Sequence, residues 1–253
     1  METIEKTKTR IGFITNIDES LANAIRRSSS EIPVLAIEEV EFHKNDSALY
    51  DEILAHRIGL IPLKDTRKIN ETDKCSCNGK GCNKCQIHLT LKAKGPATVY
   101  SGSIKGDVGM VYDKIPIVLL DKDQELEFIG FARIGKAVNH AKFSPGLVYY
   151  RHISKITIKN SEKANEIIKK LGNHIINPSK GKLKSGEIVY SDKDVDEIES
   201  MLEEDSDIIK VEPGEDLIFF AESWGQLDPK DIISDAVKSL ESNLKEVLKS
   251  IKK

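Results

Sequence analysis

The chain has 253 residues, 39% of them hydrophobic and 31% charged, with a formal net charge of -3 at pH 7. That is enough apolar material for a packed core, and too little positive charge for a protein whose job is nonspecific grip on nucleic acid. No window carries the long uncharged apolar run of a membrane span, and the N-terminus METIEKTKTR lacks the apolar centre of a signal peptide, so a cytoplasmic location is expected.

Ile11, Phe13 and Ile17 alternate with polar neighbours, as in a half-buried strand. Asp18 can accept from the open amides of a first helical turn, with Leu21, Ala24, Ile25 and Ser28 on one face of an amphipathic helix. Arg26 and Arg27 fall near its C-terminal end, where the backbone dipole favours positive charge; solvated cap charges are the bland reading of the pair. Residues 32–42 turn at Pro33 into a strand that becomes period two in its second half, with Ile37 out of phase. After a polar turn at Asn45, Asp46 and Ser47, helical spacing returns in Tyr50, Ile53, Leu54, Ile58 and Ile61, and Pro62 closes the helix. His56 and Arg57 lie inside it; taken alone, such a histidine is more often a hydrogen-bonded structural residue than a catalytic one.

Residues 87–93 alternate cleanly, with Ile87, Leu89, Leu91 and Ala93 facing one way and His88, Thr90 and Lys92 the other. Short strands are predicted over 99–104, 115–119 and 126–134; Pro116 marks an edge or a bend, because it cannot donate to a ladder. A turn over 140–145 leads to a strand over 148–158. Between 160 and 212 charge rises and aromatics nearly vanish, with a helix at 162–171, a Pro/Gly/Lys stretch at 177–186 and an acidic helix near 194–203. The acidic run 197–207 reads as a solvated helix face before it reads as a partner surface. A strand at 217–222 is broken at Gly225, and Asp228, Pro229 and Asp231 make a strong helix start. That helix carries Ile233, Val237, Leu240, Leu244, Val247 and Ile251 at intervals of three or four residues. A seam of this kind needs something to lie against, and its length past any further element favours a partner chain.

All four cysteines, Cys75, Cys77, Cys82 and Cys85, fall in CSCNGKGCNKC, with one, four and two residues between them. None remains to staple distant segments, so a secreted disulfide framework is not expected. Four thiolates can close a tetrahedral shell around Zn2+; Gly79 and Gly81 let the chain fold sharply, and Lys74, Lys80 and Lys84 offset the negative charge. An iron–sulfur cluster is the competing occupant. A shell made wholly of protein leaves no position for water, so the expected site is structural.

NAIRRSSSEIPVLAIEEVEF, SALYDEILAHRIGLIPL, HAKFSP and ESWGQLDPKDIISDAVKSL, in this order, resemble the family of the archaeal DNA-directed RNA polymerase polypeptide designated D. That family is related to the third-largest subunit of eukaryotic RNA polymerase II and to the N-terminal part of the bacterial alpha subunit. The resemblance spans nearly the whole chain and implies an α+β fold in several pieces. A discontinuous dimerisation domain of a sheet and two helices would take 1–42, 146–160 and 213–253; an inserted β-rich domain over 43–145 would hold the metal loop; a ferredoxin-like third domain would take 161–212. The implied role is a noncatalytic assembly subunit, a scaffold on which the large catalytic subunits assemble. It would pair with a small subunit, L, through helices at 21–28 and 232–251, join subunits N and P, and meet DNA only through the complex. The interface residues so implied are Leu21, Asn23, Ile25, Arg26 and Arg27, then Asp51, Glu52, His56 and Arg57, then the C-terminal seam. Many members carry iron–sulfur cysteines in the third domain; residues 161–212 contain no cysteine, so no cluster is expected there. The cysteine loop resembles the zinc loop of the eukaryotic counterpart, with one more residue between its second and third cysteines.

Two other classes compete. A free-standing zinc-containing nucleic-acid-binding protein is suggested by the cysteine loop with Arg67, Lys68, Lys74, Lys80 and Lys84, and opposed by the lack of an aromatic platform and the negative net charge. An enzyme using His56, His140 or Glu222 lacks a nucleophile, an open metal position or a glycine-rich phosphate loop gathered with them.

Overall fold

The computed structural model describes residues 2–64, 69–176, 183–201 and 208–252. In chain order the elements are β1 (Glu2–Lys6), β2 (Arg10–Thr15), α1 (Glu19–Ser28), β3 (Val34–Asn45), α2 (Asp51–Gly59), β4 (Ile87–Lys94), β5 (Ala97–Tyr100) and β6 (Lys105–Gly106). There follow β7 (Pro116–Leu120), β8 (Glu125–Gly135), β9 (Gly146–Ile158), α3 (Ser161–Leu171), β10 (Ile188–Ser191), α4 (Val195–Ser200), β11 (Ile209–Ser223) and α5 (Pro229–Ile251). The protein is mixed α+β, and its contacts divide it into two compact units, residues 1–26 with 148–221 and residues 27–147 with 222–253.

The first unit is built on a five-stranded sheet in the order β1-β2-β11-β9-β10, so its strands come from distant parts of the chain. β11 is longer than the strand predicted over 217–222, because it runs on through Pro213 and Gly214, two residues that ordinarily interrupt a strand. Gly214 has a packing reason: a Cβ there would come within 3.0 Å of the Ile153 carbonyl. Around the C-terminal part of β9, Ile156, Ile158, Ala164, Ile167, Leu171, Val189, Ile198 and Ile209 form an aliphatic core that seats α3 and α4. α4 is shorter than the helix expected near 194–203; Asp194 caps it by accepting from Asp196 N–H. Residues 202–207 of the acidic run, like residues 177–182 of the Pro/Gly/Lys stretch, lie outside the described residues. α1 starts as expected, with Asp18 Oδ1 accepting from the Leu21 and Ser20 amides at 3.1 and 2.8 Å; the same bonds hold its carboxyl below the usual carboxylate range. Its buried face differs from the expected one. Ala22 and Ser28 are buried, Ala24 and Ile25 are half-buried, and Leu21 is 42% exposed.

The second unit carries the sheet β3-β8-β4-β6 and the separate pair β5-β7. The phase break at Ile37 is an irregularity in the β3–β8 register between Ile37 and Glu39: Val34 to Ile37 are all buried, and one-sided alternation begins only beyond it. β4 pairs with β8 from Ile87↔Ala132 to Lys94↔Glu125, and Leu89, Leu91, Leu126 and Phe128 enter a core shared with Leu35, Ile37, Leu54, Ile58 and Leu63. α2 buries Leu54, Ile58 and Gly59, whereas Tyr50 (79%) and Ile53 (49%) face solvent, contrary to the single apolar face expected. The strand expected over 99–104 stops at Tyr100 in a 3-10 turn, and Pro116 opens β7, where no ladder donor is needed. α5 has the expected start, Asp228 accepting from Lys230 N–H at 2.9 Å with proline in the first turn.

Candidate metal centre and docking faces

The cysteine loop follows a 3-10 turn at Thr72–Lys74 and leads directly into β4. Two tight turns bring its sulfurs together. Asn78 N–H donates to Cys75 O at 3.0 Å, and Cys85 and Gln86 N–H both donate to Cys82 O at 2.9 Å. Between the turns the backbone takes the left-handed region at Asn78, Gly79 and Gly81, with φ of 53, 81 and 81°. The four Sγ atoms lie within 4.8 Å of one another, with 3.6 Å for Cys75–Cys82, 3.5 Å for Cys77–Cys85 and 3.9 Å for Cys82–Cys85. A tetrahedron with metal–sulfur bonds of about 2.3 Å has edges of about 3.8 Å, so the donor set fits one ion at its centre. Cys75 and Cys85 are buried and Cys77 and Cys82 half-buried.

The thiols are electrostatically unequal. For Cys77, burial works upward, but hydrogen bonds from Cys85, Cys75 and the Gly81 amide bring the thiol down to about 6. For Cys85, the Cys82 amide works downward, but burial and the hydrogen bonds with Cys77 and Cys75 push it up to about 12. Binding a cation there must displace the proton that Cys85 holds. Of the expected counter-charges, Lys74, Lys80 and Lys84 are exposed, and Lys74 is already paired with Glu71 at 2.9 Å. Arg67 and Lys68 lie outside the described residues. Sequence spacing overlooked Arg133, on β8, whose Nη2 donates to Gln86 Oε1 at 3.2 Å beside the loop.

The remaining candidate residues sit on exposed faces. Asn23 Oδ1 accepts from Arg26 Nη2 and Nε at 2.9 and 3.1 Å, both residues half-buried, while Arg27 is exposed. On α2, Asp51, Glu52 and His56 are exposed. Arg57 latches the helix to β7, donating from Nη2 to Pro116 O at 2.8 Å and from Nε to Ile117 O at 3.0 Å. On α5 the residues packed into the unit are Pro229, Ile232 and Ala236. The heptad stripe lies to one side of them: Ile233 and Leu240 are half-buried, and Val237 (44%), Leu244 (56%), Val247 (56%) and Ile251 (75%) face solvent. A groove of about 540 Å³ in the same unit, lined by Leu60, Tyr112, Ile115, Leu147 and Trp224, has no signal in the local sequence pattern. Among the described residues, no helix is long and apolar enough to cross a membrane.

A sheet-mounted cysteine loop and apolar helix side chains left in solvent are the features of an assembly-type protein, and comparison with known proteins agrees. Residues 39–148 match the RNA polymerase Rpb3/RpoA insert domain. The chain is 35% identical to DNA-directed RNA polymerase subunit Rpo3 of Pyrococcus furiosus over 95% of its length and 92% of the relative's. It is 33% identical to Rpo3 of Methanothermobacter thermautotrophicus, covering 96% of each chain, and 40% identical to that of Pyrococcus horikoshii over 67% of each. The chain belongs to the Rpb3/RpoA family of DNA-directed RNA polymerase subunits, among the Rpo3 proteins.

Proposed function

We propose that this chain is the noncatalytic assembly subunit of an archaeal DNA-directed RNA polymerase, corresponding to the polypeptide designated D, and that it acts in the cytoplasm as the platform for the large catalytic subunits. The observation that carries the reading is the α5 stripe: four apolar side chains of a heptad repeat stand in solvent on a helix whose last two turns are exposed on every side. Leaving them there is unfavourable, and a second amphipathic helix is the surface that covers such a stripe. The partner is the small subunit L, with Leu21, Asn23, Ile25, Arg26 and Arg27 of α1 contributing to the same function. Asp51, Glu52, His56 and Arg57, on the exposed side of α2, meet further subunits, N and P among them.

In this reading residues 1–42, 146–160 and 213–253 form the dimerisation domain; strands recruited from distant segments into one sheet support such a discontinuous unit. Residues 43–145 form the inserted domain, whose loop holds a structural Zn2+ on Cys75, Cys77, Cys82 and Cys85. Sulfur separations of 3.5 to 3.9 Å suit a mononuclear ion better than the wider ligand set of a multi-iron cluster. Bound there, the ion supplies no chemistry beyond cross-linking the loop. Residues 161–212 form a ferredoxin-like domain that has no cysteine to hold an iron–sulfur cluster. The test is to purify the tagged chain from its source and identify what accompanies it. Stoichiometric large polymerase subunits are expected; a lone monomer that binds DNA with steep salt dependence overturns the proposal in favour of a nucleic-acid-binding protein.

A further inference from the structure

The cysteine loop is held against its sheet by a polar latch. Gln86, between the last cysteine and β4, is only 8% exposed. Its Oε1 accepts from Arg133 Nη2 at 3.2 Å, and Nη1 of the same guanidinium pairs with Glu39 at 3.2 Å. Nε, the third donor direction, is buried without a hydrogen-bond partner among the described residues. The guanidinium lies close to the loop backbone: a Cβ placed on Gly81 would sit 2.0 Å from Gln86 Oε1 and 3.6 Å from Arg133 Nη2.

Four thiolates around a divalent ion leave two negative charges, and what offsets them depends on solvent. Lys74 is 73% exposed on its side chain and engaged with Glu71. Charges in water at that exposure are screened to little effect. The Arg133 side chain is 20% exposed, whereas the carboxylate it pairs with, Glu39, is 59% exposed and screened by water, so the guanidinium's field reaches the loop through a medium of lower dielectric. We infer that Arg133 is a positioning residue of the metal centre: it seats the loop through Gln86 and supplies the poorly solvated positive charge that stabilises the metal–thiolate dianion. The inference rests on the metal-centre reading above. It goes beyond a latch, because a latch alone would stabilise the loop whether or not metal is bound.

The test uses the full chain as wild type, Arg133→Gln and Arg133→Lys, each titrated with Zn2+ against a chromophoric chelator and melted with and without metal. Arg133→Gln, which keeps a hydrogen-bonding amide and removes the charge, is expected to bind metal ~10–100-fold more weakly, the range seen when outer-shell partners of metal ligands are removed. Its melting temperature should fall further in the metal-loaded form than in the metal-free one, and Arg133→Lys should recover most of the affinity. Unchanged affinity in Arg133→Gln, an equal fall in both melts, or a lysine variant as weak as the glutamine one each overturns the inference. A wild-type chain that binds no Zn2+ or Co2+ overturns the metal-centre reading itself and this inference with it.

Discussion

Replacing Leu244 by aspartate separates docking from folding. Leu244 is 56% exposed on the part of α5 where every residue from 241 to 252 is exposed, so the isolated chain loses almost nothing. Exposed substitutions of this kind shift stability by no more than about 0.5 kcal/mol. A covering partner changes the balance. Full burial of a leucine is worth about 1.5–3 kcal/mol, so the exposed share contributes about 1–1.5 kcal/mol on docking. An aspartate forfeits that and must leave water without a counterion, which adds roughly 2–3 kcal/mol even on lenient scales. Together, about 3–4.5 kcal/mol corresponds to a loss of affinity of roughly a hundredfold to a thousandfold. Leu240→Asp is a poorer probe, because Leu240 is half-buried against its own unit and its loss would also destabilise the chain. The assay is coexpression with the small subunit and pull-down, followed by calorimetric titration, with the variant's own melt as control. A partner bound at wild-type affinity by a folded Leu244→Asp chain would refute the assignment of α5 as the interface.

Three further outcomes are expected. Cys85→Ser should abolish tight metal binding and amide protection across the loop while hydrogen exchange of the β9 and β11 amides stays slow; a globally unfolded variant would show that the loop is not a local element. Gly79 and Gly81 both have φ of +81°, but a Cβ on Gly79 meets nothing within 4 Å, whereas one on Gly81 would be 2.0 Å from Gln86 Oε1. Gly79→Ala should therefore cost about 1–2 kcal/mol of strain alone, and Gly81→Ala clearly more, with the greater loss of metal in chelator competition; equal effects would contradict the packing. Metal binding should depend on pH with a definite sign. Because burial and its sulfur neighbours push the Cys85 thiol up to about 12, binding releases its proton throughout the neutral range, and affinity should rise by about tenfold or more per pH unit. Below about 6 the Cys77 thiol is also protonated and the slope should steepen, so the stability lent by metal is present at high pH and lost as pH falls. A flat affinity between pH 6 and 8, measured by competition, would be inconsistent with this.

Much of the candidate site was legible in the chain because it is local. Cys75 to Cys85 span eleven residues, and the turns that gather them are set by neighbouring glycines and amides. Arg133 escaped notice because the β4–β8 register, not sequence proximity, brings it beside Gln86. The irregular phase at Ile37 was visible; that it marks the change from a strand buried on both faces to one buried on a single face required the pairing with β8. β1 was missed because its charged sequence carries no apolar alternation, and the first half of β11 because Pro213 and Gly214 look like a break until a neighbouring strand accommodates them.

What the sequence determined by itself are features whose physics closes within a few turns of chain: the cysteine cluster, the Asp228–Pro229 helix start, and the heptad spacing of α5. What only the tertiary structure decided is which side of each element is spent inside. On α5 the interior takes Pro229, Ile232 and Ala236 and leaves the heptad stripe in water; on α2 it takes Leu54 and Ile58 and leaves Tyr50 and Ile53. Periodicity records that a side chain is apolar, but a buried face and a docking face carry the same pattern, and only packing against distant strands tells them apart.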